Sequence, residues 1–221
     1  VLSFWKDRFT AQGVGGIETD TAFGANRLRF IGPDGDAFAL VETADDKRAG
    51  WVGEGVSDDV AIRGFSGARF NLHDTAATAE LLSFMGYERT EAEGDVTRFV
   101  IPGGNGADTI DLVSLPKTPF ARQGAGSVHH IAFAVDNREK QLEVRKALMD
   151  TGYQVTPVID RDYFWAIYFR TPGGILFEIA TNEPGFDRDE DTAHLGEALK
   201  LPSRYENFRD QIEANLVPIA A

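Results

Sequence analysis

Apolar positions along this chain switch between two periods, and the order of the switches repeats. Leu2, Trp5 and Phe9 are spaced for one face of a helix that Gly13 closes. The same ending, a glycine followed by an apolar residue, recurs at Phe84-Met85-Gly86-Tyr87 and from Leu148 to Gly152-Tyr153. After each helix come strand-like segments, a turn and a last strand. The turns contain Pro33-Asp34-Gly35, Pro102-Gly103-Gly104 and Pro172-Gly173-Gly174, where glycine supplies the positive φ that hairpins need. Last strands are expected over 37–41, 109–113 and 176–180. In two copies a further strand precedes the helix, at 68–72 and 130–135.

The repeating unit is therefore βαβββ, read three times. The modules fall at 1–45, 64–116 and 126–183, and 184–221 forms a tail. The first module lacks its opening strand, because the chain starts inside a helix with neither a cap nor a Met. The expectation is that the natural N-terminus lies upstream of Val1. The fold class that follows is α+β, with curved, partly open mixed β-barrels and a helical tail. Unpaired sheet edges would then call for an upstream segment or for an oligomer to cover them.

Composition narrows the classes. The chain has 221 residues, no cysteine and a formal net charge of -13. Such a charge argues against nucleic acid and anionic membranes as partners. The lack of cysteine removes disulfides and thiolate metal sites, which makes a cytoplasmic address the simpler expectation. No apolar run reaches the roughly 18 residues that span a bilayer.

Strand alternation sorts the chemistry onto faces. Over 130–135, Ile131, Phe133 and Val135 share a face, leaving His130 with two small alanines on the other. Along the last strand Glu178 lies opposite in sense to Phe177 and Ile179. Tyr168 and Glu178 are symmetric about Gly173, so they should face each other across the hairpin. Imidazole and carboxylate on neighbouring strands are two of the three donors of an open 2-His-1-carboxylate Fe(II) site. The other copies carry Ser66 and Gly67 where the third has His129 and His130, and Ala39 or Asp111 in place of Glu178. The fold itself does not require the pair, which favours a site.

These repeats, the strand His129-His130-Ile131-Ala132-Phe133 and the hairpin Pro172 to Ile179 resemble the vicinal oxygen chelate superfamily of glyoxalases, bleomycin resistance proteins and extradiol dioxygenases. Within it the likeness is greatest to ring-cleaving dioxygenases of the hydroquinone 1,2-dioxygenase type. The resemblance implies His130 and Glu178 as ligands of Fe(II), with Mn(II) as the alternative metal. It implies His129 beside the ligands, and Arg161 and Tyr168 near a small aromatic substrate that reacts with O2. It also places one ligand in a module preceding Val1. On these grounds the expected activity is extradiol-type cleavage of a hydroquinone- or catechol-like phenol. A glyoxalase-like metal-dependent lyase or isomerase, and a metal-free binding protein of the bleomycin-resistance kind, stand as alternatives.

Several residues keep a plainer reading. Arg161 has Asp160 and Asp162 beside it as ion-pair rivals. His73 adjoins Asp74, the expected cap of the second helix. His194 should be exposed, Asp111 simply polar, and residues 187–191 a solvated charge run. Tyr163-Phe164-Trp165 could wall a pocket or form a satellite core. Ser203 and Glu206 have the form of a capping box. Tyr205, Phe208, Ile212 and Leu216 make a stripe expected to pack back on the modules.

Overall fold

All three expected helices form, and all three stop by the same means. A computed structural model describes residues 1–117 and 123–217. In it α1 spans Leu2–Ala11, α2 Ala76–Phe84 and α3 Arg138–Asp150. Gly13, Gly86 and Gly152 follow with φ of 72°, 95° and 95°. The next N–H, from Val14, Tyr87 and Tyr153, donates to the carbonyl of Phe9, Leu82 and Leu148 at 3.0, 2.9 and 3.0 Å. Glycine takes this left-handed turn without the roughly 1–2 kcal/mol that a Cβ costs there.

Helix starts are less uniform. Asn137 caps α3, its side chain accepting the Lys140 N–H at 3.0 Å. At α2 the cap position falls on Thr75 rather than Asp74, and Thr75 makes no side-chain cap bond. Thr75 already has helical dihedrals, so the Asp74 carboxylate reaches past it to the Ala76 N–H at 2.9 Å.

By its contacts the chain divides into two units, Val1–Ile131 with Thr171–Ile175, and Ala132–Arg170 with Leu176 onward. The first unit holds two sheets. One is antiparallel, in the order β1 (Gly15–Ala22), β2 (Ala25–Ile31), β3 (Ala37–Val41). The other contains β4 (Gly67–Leu72), β5 (Glu88–Glu93), β6 (Val96–Val100) and β7 (Thr109–Ser114) in the order β4-β7-β6-β5. Here β4 and β7 run parallel, as the helical crossover between them requires. Trp5, Leu28 and Val56 centre the core under α1, and the Trp5 indole N–H donates to the Val60 carbonyl at 2.7 Å. Burying the ring with its one polar atom satisfied avoids a desolvation penalty.

In the second unit the sheet order is β8-β11-β10-β9, with β8 at Ile131–Val135, β9 Ile159–Asp160, β10 Phe164–Arg170 and β11 Leu176–Pro184. The apolar face meets itself through Phe133 and Phe177, whose ring centroids lie 4.7 Å apart. A bulge interrupts the β10–β11 ladder between Phe164 and Ala166. Gln141 of α3, 0% exposed, serves this region: its Nε2 donates to the carbonyls of Trp165 at 2.6 Å and Ile179 at 2.8 Å. A polar side chain on the buried helix face is thus explained by carbonyls that need a donor.

All these sheets are mixed or antiparallel and open. The α+β class with partly open sheets is what the sequence pattern predicts. The tail departs from expectation. Ser203–Phe208 is a 3-10 helix and only Arg209–Glu213, α4, is α-helical. The capping box does not form, because the Ser203 hydroxyl donates to Asp162 at 3.1 Å and Glu206 is taken by Arg209. Tyr205, Phe208 and Leu216 remain exposed, Phe208 at 54%. A change from three to 3.6 residues per turn breaks the stripe that continuous α-helix would present. Residues 218–221, the end of the expected tail, lie outside the described residues.

Candidate functional site

Register in the β10–β11 hairpin is set by its turn, where the Thr171 N–H donates to the Ile175 carbonyl at 2.9 Å and Gly174 takes φ 83°. That register makes Tyr168 the direct cross-strand partner of Glu178, as the symmetry about Gly173 predicts. Glu178 is only 3% exposed, a degree of burial that a carboxylate reaches when it is paired or ligating. Tyr168 is half-buried and Arg161 exposed. The Arg161 Nη2 donates to the Tyr168 hydroxyl at 3.2 Å, and the guanidinium lies 5.6 Å from the centre of the ring. Arg161 turns to Tyr168 because its acidic neighbours are engaged elsewhere. Asp160 accepts the Asp162 N–H at 2.8 Å, while Asp162 pairs with Arg188 and accepts from Ser203.

Burial raises the Tyr168 phenol above the ordinary tyrosine range, and the hydrogen bond and charge of Glu178 raise it further. Arg161 opposes both, by its own hydrogen bond and charge. The phenol is therefore protonated at neutral pH and poised between a cation and an anion. Such a group can hold a proton next to a substrate oxygen or donate a hydrogen bond to it.

The histidines sit slightly differently from expectation. The strand begins at Ile131, so His130 is the residue before β8 and His129 the one before that. The His129 carbonyl accepts from the Gln123 side chain, which takes it out of a ladder role. The two rings approach with Nδ1 atoms 2.8 Å apart and planes 86° apart. One Nδ1 must carry the proton and the other accept it. That bond holds the His130 ring by its Nδ1, and a hydrogen bond at one ring nitrogen is how a neighbour fixes the tautomer of an imidazole. The sheet order places β8 next to β11, the strand that carries Glu178.

Imidazole and carboxylate are the right donor types for Fe(II) or Mn(II). Among the described residues, however, no group of three or more His, Cys, Asp or Glu is placed to hold a metal ion. The described residues thus fit such a group in kind and fall short of it in number.

Other candidates resolve more simply. Tyr163 stacks on Phe186 at 5.4 Å and its hydroxyl donates to Asp189 at 3.1 Å, while Trp165 receives the Arg138 guanidinium at 5.3 Å. The aromatic cluster is packed against the following segment, which favours the satellite-core reading. Asp189 and Arg188 take part in that packing, so the charge run is more than a solvated face. His194 is exposed and pairs with Glu197 at 3.0 Å. A cavity of about 400 Å³ in the first unit is lined by Leu2, Thr19, Asp20, Arg27 and Glu42 among others, and by none of the five site residues. Sequence reasoning missed Gln141 and Gln123; a lone polar residue on an apolar helix face was the available signal for the first.

No helix among the described residues is long and apolar enough to cross a membrane. Residues 2–179 match the profile of the Glyoxalase/Bleomycin resistance protein/Dioxygenase superfamily, and the chain belongs to that superfamily. Among curated relatives, MhqO of Bacillus subtilis (strain 168), provisionally named a ring-cleaving dioxygenase, is 41% identical over 98% of this chain and 69% of its own length. Chlorohydroquinone/hydroquinone 1,2-dioxygenase of Sphingobium indicum is 31% identical over 96% of this chain and 67% of its own. The crystal structure of a Bacillus subtilis protein provisionally described as a dioxygenase superposes with a TM-score of 0.90 at 42% identity, covering 99% of this chain and 70% of that one. These relatives support reading the chain as an oxidoreductase.

Proposed function

We propose that this chain belongs to a metal-dependent, extradiol-type ring-cleaving dioxygenase whose partners are a hydroquinone- or catechol-like phenol and O2. The observation that carries the reading is the buried Glu178 carboxylate, register-paired with Tyr168 and flanked through it by Arg161. The names of relatives that match nearly all of this chain, over about two thirds of their own length, point the same way. In this reading the modules run over 1–45, 64–116 and 126–183, with a tail from 184, and the enzyme works in the cytoplasm.

His130 and Glu178 are the metal ligands on this chain, with Fe(II) the metal and Mn(II) its alternative. Bound there, the metal would supply the redox chemistry that lets a phenol and O2 react. The rest falls to side chains. Arg161 attracts and orients a phenolate oxygen and keeps the Tyr168 hydroxyl turned toward the substrate. Tyr168 holds a proton at its hydroxyl, where it can stabilise charge developing on a substrate oxygen. His129 orients His130 through the Nδ1 contact and serves as a base for a substrate proton.

The test is oxygen uptake by the full-length gene product loaded anaerobically with Fe(II), given hydroquinone, methylhydroquinone or catechol. Metal content is measured in parallel for His130→Ala and Glu178→Gln. One O2 consumed per phenol, with both variants losing metal and uptake, supports the proposal. Bound metal without uptake on any phenol would move the reading to a lyase or isomerase. Full metal retention in both variants would remove His130 and Glu178 from the ligand set.

A further inference from the structure

The loop that carries Arg161 is held by the tail. Residues 160–163 lead from β9 into β10. The Asp162 carboxylate accepts the Ser203 hydroxyl at 3.1 Å and the Ser203 N–H at 3.3 Å, from 41 residues further along the chain. Arg188 lies 3.8 Å from the same carboxylate and donates to the Asp162 carbonyl. On one side of it the Asp160 carbonyl accepts from Arg204 at 3.5 Å. On the other, Tyr163 donates its hydroxyl to Asp189, stacks on Phe186 and accepts the Gly185 N–H at its carbonyl at 3.0 Å. Lys200 ties the tail to itself by donating to the Asp189 carbonyl at 3.0 Å. Between these held residues Arg161 takes the Tyr168 hydroxyl instead, at 3.2 Å.

Asp162 is kept in a strained shape. Its φ is 74°, in the left-handed region where a Cβ crowds the following carbonyl and glycine is free of that strain. An aspartate keeps such a backbone when the structure around it uses the carboxylate, and this side chain is only 15% exposed. Ser203 has the complementary need. It begins a 3-10 helix, so its N–H has no acceptor within that helix, and Asp162 provides one. The contact also decides where Arg161 goes. Asp162 is its neighbour in sequence and a rival to Tyr168 for the guanidinium. With Ser203 and Arg188 on the carboxylate that rival is occupied, and the guanidinium stays beside the Tyr168 ring.

We propose, resting on the function given above, that the tail is a strap that positions Arg161 for the substrate phenol, with Ser203 and Asp162 as its clasp. Both are positioning residues, acting on a substrate oxygen only through the Arg161 guanidinium. Undoing the clasp lets the loop relax from φ 74° and frees the Asp162 carboxylate for Arg161. The hold on the phenol then weakens while His130 and Glu178 are left as they were.

The experiment is anaerobic calorimetric titration of the Fe(II)-loaded full-length gene product with hydroquinone, which reads binding without turnover. Ser203→Ala, Ser203→Thr, Arg161→Gln and the S203A/R161Q double variant are compared with the parent at equal metal content, after thermal melts establish that each is folded. Ser203 is exposed, so the threonine methyl has room. Binding about fivefold or more weaker in S203A, within about twofold of the parent in S203T, and in the double variant within about twofold of R161Q, supports the strap. The double variant is decisive, because a side chain that acts through Arg161 has no further effect once Arg161 is gone. Affinity unchanged in S203A overturns the proposal and leaves the function standing. So does an S203T as weak as S203A, or a double variant that loses the full sum of the two single effects. A parent that takes up no hydroquinone overturns the proposed function and the role of the strap together. Should S203A fail to fold, Asp162→Gly decides, because glycine keeps the backbone shape and removes the carboxylate. Binding about fivefold weaker in D162G supports the strap, and unchanged binding overturns it.

Discussion

Tyr168 and Gln141 show how much can rest on single polar atoms. Replacing Tyr168 by Phe keeps the ring and removes the hydroxyl that accepts from Arg161 and interacts with Glu178. On the proposed function kcat/KM for phenol-dependent oxygen uptake should fall about a hundredfold or more, with the melting temperature little changed. A loss below about fivefold would make Tyr168 a packing residue. Gln141→Leu has the opposite profile. It leaves the carbonyls of Trp165 and Ile179 without their donor, at about 1–3 kcal/mol for each buried group. Denaturant unfolding should show that loss, and an unchanged midpoint would mean that water replaces the amide. The Tyr168–Glu178 pairing was legible in the sequence because a hairpin turn sets register. Gln141 was not, because its partners lie on strands distant in sequence.

Among the elements, the three glycine-ended helices and the 46–66 segment make contrasting cases. Gly152→Ala forces an L-residue to φ 95° and should destabilise by about 1–2 kcal/mol, measurable as a lower unfolding midpoint. The three endings were readable from sequence because one glycine and one apolar residue suffice to specify them. The segment joining the sheets of the first unit was not, because its order depends on one arginine. Arg48 pairs with Asp46 at 2.6 Å, donates to the Phe65 carbonyl at 2.8 Å, and its backbone carbonyl accepts from Arg63 at 2.9 Å. Arg48 holds the Asp46 carboxyl down at about 2. A depressed acid contributes stability above its unfolded value of 3.8, and that contribution is lost as pH falls through about 2. Asp46→Asn should therefore open this segment to limited proteolysis at neutral pH while leaving the main thermal transition nearly in place. Cleavage unchanged from the parent chain would show that the backbone bonds alone hold the segment.

For the molecule as a whole, titration behaviour follows from where the phenols sit. Tyr87, Tyr163 and Tyr168 all have pKa values raised above 10.0, burial being the largest cause in each. A raised tyrosine favours the fold while neutral, so its contribution is complete below about pH 10 and lost as pH climbs through the higher folded values. Unfolding midpoints in denaturant should fall above pH 10, and Tyr87→Phe should flatten that fall. A flat profile in the parent chain would mean that these phenols titrate alike in both states.

The sequence alone determined the repeat, the helix ends, the register of the last hairpin and hence the facing of Tyr168 and Glu178. Each of these depends on local periodicity or on a turn within a few residues, and local rules act on adjacent positions. The same local pattern misread the tail, where the Ser203 hydroxyl and the Glu206 carboxylate found Asp162 and Arg209 as partners instead of each other. Only the tertiary structure decided which partner each polar group takes: Arg161 to Tyr168, Gln141 to two carbonyls, and Arg98 to Asp111. Polar pairing is settled by distance in space among several chemically equivalent candidates, and sequence spacing carries no information about which candidate arrives first.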